Sequence, residues 1–213
     1  MKIEKIACGM ANVYLLHGDN SGILIDTGAK NYKDKVLKQC QSANVKLIVL
    51  THGHFDHIWG VEALRAAANE VAENHGYDAV KVFACKDEKE LLQNAYQNVS
   101  ENFGRACTVE ADVYVRDGEE LEIAGIRCRV IATPGHTAGG CCYYFEEAGF
   151  CICGDTIFQE SVGRTDFPTG SMSTLVRSIR EKLFVLPEET KLYPGHGGST
   201  TVEHEKKYNP FCV

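Results

Sequence analysis

Short apolar runs separated by turn-forming residues predict the elements of the first half of the chain. Three of them predict strands, over Val13–His17, Gly22–Asp26 and Lys46–Leu50, and GDNSG between the first two predicts a hairpin loop. The opening residues, MKIEKIACGMANVYLL, mix charge with alternating apolar positions and predict the first strand of the fold. Helical patterns follow at residues 32–43 and 57–76. AVKVFAC and DEKELLQNAYQNV then predict a strand and a helix that starts at the aspartate.

The second half of the chain alternates more regularly and predicts antiparallel strands. The stretch EADVYVRDGEELEIAGIRCRVIATPGHT predicts a strand meander, and GCCYYFEEAGFCICGDTIF repeats the pattern with a turn at Glu147–Gly149. SMSTLVRSIREKLFVL predicts an amphipathic helix capped by Ser171 or Ser173, and TKLYPGHG a last strand. Sheet and helix are thus mixed in both halves. We predict one domain, residues 1–213, in which two packed sheets are covered by outer helices.

Composition and charge narrow the class of protein. The chain has 213 residues, a net charge of −7 and no clustered lysine and arginine, so we expect no nucleic-acid partner. No segment approaches the roughly 18 consecutive apolar residues of a membrane span, and the N-terminus lacks the apolar core of a signal peptide. We therefore expect a cytoplasmic protein without membrane contact. Its ten cysteines are interpreted as small buried side chains in a reducing compartment rather than as a disulfide framework.

The heptapeptide THGHFDH, directly after the apolar run KLIVL, is the densest group of polar side chains in the sequence. His52 and His54 are one residue apart, so an extended backbone points both to the same side. Asp56 and His57 follow where strand gives way to helix and can turn back toward the same space. Histidine and aspartate are ligands for zinc, iron and manganese, so this cluster predicts a metal site.

Three more candidate ligands, His136, Asp155 and His196, each follow an apolar strand and lie beside glycine. Loops in that position gather at one edge of a sheet, so we expect these side chains to join the cluster. Together they make seven ligands, which suits two metals. Cys151 and Cys153 also face one side of a strand and could bind metal, but core packing is the favoured interpretation.

With these motifs in place, the sequence resembles the metallo-β-lactamase superfamily, whose HxHxDH signature occupies residues 52–57. The resemblance continues through LIDTG, TPGHTAGG, GDTIF and YPGHG, and implies an α+β fold, the four-layer αββα sandwich. It also implies the ligand sets: His52, His54 and His136 for one metal, Asp56, His57 and His196 for the other, and Asp155 bridging both together with a water or hydroxide.

The resemblance further implies a hydrolase with two divalent metal ions, for which zinc is expected although iron and manganese accept the same ligands. Two such ions lower the pKa of a bound water to about 7 and so supply a nucleophile at neutral pH. Asp56 would align that hydroxide or take its proton. Asp26 in LIDTG would orient the ligands from behind, unless it serves only as the turn residue before Gly28.

Within the superfamily the sequence is most similar to the glyoxalase II group, the hydroxyacylglutathione hydrolases, through VGRTDFPTG, LYPGHG and the terminal NPF. This implies a small-molecule thioester substrate. Arg164 would face the carboxylates of the substrate, or else pair with Asp166. Two departures bear on glutathione recognition: the chain ends 17 residues after His196, and glycines 197 and 198 stand where the group tends to have an aromatic residue.

Two other functions stay open from the sequence. A persulfide dioxygenase shares the fold and a GRTDF-like loop, and would use one iron held by His52, His136 and Asp155. A metal-binding scaffold without catalysis is disfavoured because all seven ligands are present. The oligomeric state is not indicated by the sequence.

Overall fold

In the computed structural model, the first sheet gathers most of the N-terminal half of the chain. The model describes residues 2–9, 11–18, 21–40, 43–104, 106–123 and 125–212. The first sheet has six strands in sequential order, β1 to β6. They are β1 (Lys2–Cys8), β2 (Ala11–His17), β3 (Gly22–Ile25), β4 (Val45–Val49), β5 (Lys81–Cys85) and β6 (Val113–Val115). β1 to β3 pair antiparallel, whereas β3 to β6 pair parallel.

The second sheet is built from the C-terminal half and also has six strands, in the order β14-β13-β10-β9-β8-β7. They are β7 (Glu120–Ile123), β8 (Ile126–Ala132), β9 (Cys141–Phe145), β10 (Phe150–Gly154), β13 (Lys191–Pro194) and β14 (Thr200–Thr201). Only β10 and β13 pair parallel. A separate hairpin, β11 (Ile157–Phe158) with β12 (Ser161–Val162), follows β10.

Helices cover the outer face of each sheet. They are α1 (Lys33–Cys40), α2 (Phe55–Ile58), α3 (Val61–His75), α4 (Lys89–Leu92), α5 (Met172–Ser178) and α6 (Val202–Tyr208). Helix α5 begins at Ser171, whose hydroxyl accepts the amide of Thr174, and continues as a π-helical segment over Ile179–Leu183. Short 3-10 turns lie at Lys30–Tyr32, Lys86–Glu88, Ser100–Phe103 and Glu146–Ala148.

Three apolar layers hold this arrangement together. The central one lies between the sheets, where Tyr14 and Ile25 meet Val130 and Tyr143. The outer layers join the first sheet to α1 and α3, and the second sheet to α5, the π-helical segment and α6. Because β3 and β4 are covered on both faces, their residues form continuous apolar runs. The predicted αββα sandwich is confirmed.

Three predicted elements differ from the structure. The N-terminal stretch forms two paired strands, β1 and β2, rather than one. The expected meander is divided: β6 adds to the first sheet, and the chain crosses to the second sheet between Val115 and Glu120. The helix predicted from Asp87 extends only over Lys89–Leu92. The predicted hairpin loop includes residues 19 and 20, which lie outside the described residues.

Within the described ranges, no helix combines the length and the apolar character needed to cross a lipid bilayer.

Candidate metal centre

The ligand-bearing segments meet at one edge of the sandwich, where strands of both sheets end. THGHFDH follows β4, and the segments with His136, Asp155 and His196 follow β8, β10 and β13. Backbone hydrogen bonds join these segments across the sheets: Cys141 donates to the carbonyl of Thr51 at 2.9 Å. All seven predicted ligands are therefore brought into one cluster.

Three histidines form the more deeply buried part of this cluster, which we call the three-histidine group: His52, His54 and His136. Their ring nitrogens lie within 4.8 Å of one another. His136 Nε2 is 2.9 Å from His54 Nδ1 and 3.3 Å from His52 Nε2. Converging imidazole nitrogens with their lone pairs directed at one point are a donor set for a divalent cation.

Asp56, His57 and His196 form a second group beside the first, again with ligand atoms within 4.8 Å of one another. Asp56 Oδ2 lies 3.5 Å from His196 Nε2 and 3.9 Å from His57 Nε2. The two imidazole Nε2 atoms are 3.4 Å apart. This group is partly open to solvent, since the side chain of His196 is 27 % exposed.

Asp155 lies between the two groups. Its Oδ2 is 3.0 Å from His196 Nε2 and 3.6 Å from His136 Nε2, and its Oδ1 is 3.5 Å from His57 Nε2. Oδ1 is buried and has no hydrogen-bond partner among the described residues. A buried carboxylate oxygen without a donor costs free energy unless a cation satisfies it. Gly195 packs so close that a Cβ there would collide with Oδ1.

Hydrogen bonds behind the cluster fix how the rings face it. Asp26, which is buried, accepts the amide and the hydroxyl of Thr51, each at 2.8 Å, and lies 2.8 Å from His57 Nδ1. The hydroxyl of Thr51 is in turn 3.1 Å from His52 Nδ1, and the carbonyl of Arg164 is 2.6 Å from His136 Nδ1. These acceptors favour a proton on each Nδ1, which leaves Nε2 free to face the centre.

The pKa values divide the histidines into two classes. Burial lowers the pKa of His52, His136 and His54, that of His54 to about 3. Burial acts the same way on His57, but Asp26, Asp155 and Asp56 outweigh it and raise its pKa to about 10. Burial is likewise outweighed at His196, where the hydrogen bond to Asp155 raises the pKa. At neutral pH the metal-free three-histidine group is therefore neutral, while His57 carries a proton.

We expect cation binding to the metal-free protein at about pH 7 to release protons. A cation ligand must present a lone pair, so a cation in the second group displaces the protons of His57 and His196. The apparent affinity for the cation should rise with pH until the raised pKa of His57, about 10, is passed. Titration in a weakly buffered solution with an indicator dye measures the release. Binding without any proton release would contradict the assigned protonation.

Arg164 is exposed, and its side chain is already engaged. It makes two hydrogen bonds of 2.7 Å to Asp166, and its guanidinium lies 3.9 Å from the centroid of the Phe167 ring. That ring is in turn 5.5 Å from the ring of His54. The loop therefore lies beside the three-histidine group, with the Asp166 partner that the sequence left as the alternative to substrate.

Two residues of the site were missed from the sequence, Thr51 and Glu88. Thr51 precedes the signature and is recognised only once Asp26 is placed beside it. Glu88 is buried and hydrogen bonded to loops far from it in the chain, and the charged stretch KDEKE gives no sign of this.

The cysteines are all free, and all except Cys107 are buried. The Sγ atoms of Cys142, Cys151 and Cys153 lie within 4.8 Å of one another. They pack in the apolar layer between the second sheet and its helices.

Two packed sheets with a histidine–aspartate cluster at their edge define the class of metal-dependent hydrolases. The model of the metallo-beta-lactamase superfamily matches residues 6–196, and the chain belongs to that superfamily. This fold implies divalent metal ions.

Two relatives carry names that describe an activity. The probable metallo-hydrolase YqgX of Bacillus subtilis (strain 168) is 36% identical over 99% of this chain and 97% of its own length. The hydroxyacylglutathione hydrolase GloC of Haemophilus influenzae (strain ATCC 51907 / DSM 11121 / KW20 / Rd) is 30% identical, again over 99% of this chain and 97% of its own length.

Solved structures agree with the fold along the whole chain. The crystal structure of BLEG-1, a B3 metallo-beta-lactamase, superimposes with a TM-score of 0.85 at 30% identity, covering 100% of both chains. TTHA1623 in a di-iron-bound form gives a TM-score of 0.78 at 29% identity, covering 99% of this chain and 100% of that one.

Proposed function

We propose that this protein hydrolyses thioesters of the hydroxyacylglutathione type at a centre with two divalent cations. The observation that carries the proposal is the position of Asp155 between two complete ligand groups, with one buried oxygen lacking a donor among the described residues. A single-cation centre would leave Asp56 and His196, only 3.5 Å apart, without a purpose in the cluster.

The residues present fit the two cations. We assign one to His52, His54 and His136, and the other to Asp56, His57 and His196, with Asp155 shared. When bound, the cations polarise the substrate carbonyl and lower the pKa of a water molecule to about 7. Zinc is proposed because nitrogen-rich sets with a few carboxylates suit it, and iron and manganese accept the same donors.

The protein's own side chains supply orientation and proton handling. Asp26 and Thr51 hold His57 and His52 by their Nδ1 atoms, so both Nε2 atoms keep their direction as charge develops. Asp56 is the carboxylate suited to hold a proton during the reaction. Its side chain is 14 % exposed, and its Oδ2 faces the second group.

A thioester suits this centre because a thiolate leaves without a strong general acid, the thiol pKa being about 8.5. The hydroxyacylglutathione hydrolase named among the relatives supports this substrate class. We place the carboxylates of the substrate near Arg164, which would exchange Asp166 for them. The partner is therefore a small molecule, and with a net charge of −7 we propose no nucleic-acid partner and a cytoplasmic location.

Purified protein is expected to release free thiol from S-lactoylglutathione and to contain about two cations per chain by elemental analysis. A thiol-reactive chromophore follows the reaction. The oxygen ester of the same acid is the control, and it should react more slowly because its leaving group is more basic. Two bound cations without thiol release from any thioester tested would contradict the substrate class but leave the hydrolase in place.

A persulfide dioxygenase is the second candidate, and one set of distances favours it. His136 Nε2 lies 3.3 Å from His52 Nε2 and 3.6 Å from Asp155 Oδ2, so two histidines and a carboxylate are together as an iron site requires. One iron per chain, with oxygen uptake on glutathione persulfide, would favour this function over the hydrolase.

A further inference from the structure

Glu88 is a buried carboxylate that lies behind the three-histidine group without touching any of the seven ligands. It comes at the end of a 3-10 turn, Lys86–Glu88, directly after β5. Its side chain is 1 % exposed, and no cationic side chain is paired with it in the described structure. A carboxylate so placed is costly unless hydrogen bonds satisfy it, so its contacts need a reason.

Those contacts join the two segments that carry the three histidines. Glu88 Oε1 accepts the amide of Gly53, the residue between His52 and His54, at 2.8 Å. Oε2 accepts the amide of Gly139 at 2.8 Å and the hydroxyl of Thr137 at 3.1 Å, both on the loop of His136. One side chain thus spans sequence separations of 35 and 51 residues to connect the loops.

The backbone around Gly139 is fitted to this turn. A Cβ at Gly139 would collide with the backbone of Asp87 and Glu88, so only glycine allows the loop of His136 to approach. The carboxylate also suits its donors, because two of the three are backbone amides that cannot accept a hydrogen bond. Burial raises the pKa of Glu88 to about 7, although the hydrogen bonds from Gly53, Thr137 and Gly139 act to lower it.

We propose that Glu88 is a positioning residue that sets the spacing of the three-histidine group and thereby its affinity for a cation. By contrast, none of the three hydrogen bonds described above reaches a neighbour of His196 or Asp155, so the second group should depend on it far less. This inference rests on the proposed two-cation centre.

The test is a metal titration of the metal-free full-length protein and its Glu88→Gln variant. The glutamine side chain would place an amide NH₂ against a backbone N–H, so the spacing of the two loops should change. Competition between zinc and a fluorescent chelator yields the two dissociation constants, and cobalt(II) absorption reports the ligand geometry at each site. We expect one zinc dissociation constant to rise about 10- to 100-fold and the other to change less than about threefold.

Glu205→Gln is the matched control. Glu205 is also fully buried and also accepts three hydrogen bonds, from the amide of Glu160, the hydroxyl of Thr200 and the side chain of Asn209. None of these donors is next to a proposed ligand. We expect this variant to lose thermal stability to a similar degree, with both zinc dissociation constants unchanged.

Thr137→Val provides a second, milder variant, in case Glu88→Gln does not fold. It removes a single donor to Oε2, so the same dissociation constant should rise by a smaller factor. The inference is overturned if both Glu88→Gln and Thr137→Val bind two cations as the Glu205→Gln control does, or if both sites weaken equally. Absence of cation binding in the unaltered protein would overturn the two-cation centre itself, which separates the two failures.

Discussion

Replacing Asp155 with asparagine is expected to lower kcat/KM for thioester hydrolysis by at least about a thousandfold, equivalent to about 4 kcal/mol of barrier. The same variant should retain fewer than two cations. Asparagine keeps the shape of the side chain but removes the negative charge that lies between His57, His136 and His196. Both ligand groups lose a shared anion at once, which is why we expect this substitution to have the largest effect.

Asp112→Asn is the control for that measurement. Asp112 is also a hydrogen-bonded carboxylate, accepting the amide of Val82 and pairing with Arg65, two residues outside the cluster. Its variant should keep two cations and nearly the full rate. If Asp155→Asn retained both cations and a rate within about tenfold of the unaltered protein, equivalent to about 1.4 kcal/mol, a shared role for Asp155 would be wrong.

The convergence of the seven polar side chains could be predicted from the sequence for a simple reason. His136, Asp155 and His196 each follow an apolar run beside glycine, and strand ends of one sandwich meet at one edge. Local pattern therefore carried non-local information, because the pleat and the layer order leave few other places for these loops.

Glu88 could not be predicted in the same way. In KDEKE it has the surroundings of a solvated helix, and the pattern predicts a helix as far as residue 99. The helix instead ends at Leu92, and the preceding turn directs Glu88 inward. The burial of Glu88 is decided by amides 35 and 51 residues away, which no local window contains.

The strand that follows was misplaced for a related reason. Residues 113–115 alternate like the strands after them, so the sequence predicts one meander. Alternation indicates that a strand has two different faces, but it does not state which sheet the strand joins. In the structure, β6 pairs with β5 through Phe83, Ala84 and Cys85, and only β7 begins the second sheet.

Asp26 gives the second large prediction. Asp26→Asn is expected to weaken cation binding in the second group by about 10- to 100-fold, since asparagine cannot match the carboxylate as acceptor for His57 Nδ1. Asp26 also adopts a left-handed backbone conformation, with φ of 59°, which asparagine tolerates, so the fold should persist. Zinc competition with a chelator measures the affinity, and Glu205→Gln again serves as the buried control.

The same variant should reveal the charge of His57 through the pH dependence of stability. In the metal-free protein the pKa of His57 is raised from 6.5 to about 10, with Asp26 as the largest of the causes that raise it. A histidine with a raised pKa stabilises the folded state fully below its unfolded pKa, and this contribution is lost as pH rises through the folded value. The free energy of unfolding should therefore differ most between the unaltered protein and Asp26→Asn below pH 6.5, and the difference should shrink toward about pH 10.

Urea unfolding in the presence of a chelator, at several pH values across that window, tests this dependence. A difference in the free energy of unfolding that stays constant from pH 6.5 to about 10 would show that Asp26 acts only as a neutral hydrogen-bond acceptor. In that case the proton release expected on cation binding should also be absent. Both results depend on the same proton on His57, so they must agree. A cation that binds this group therefore replaces a proton already held there by Asp26, and the metal-free protein keeps that half of the centre preformed at neutral pH.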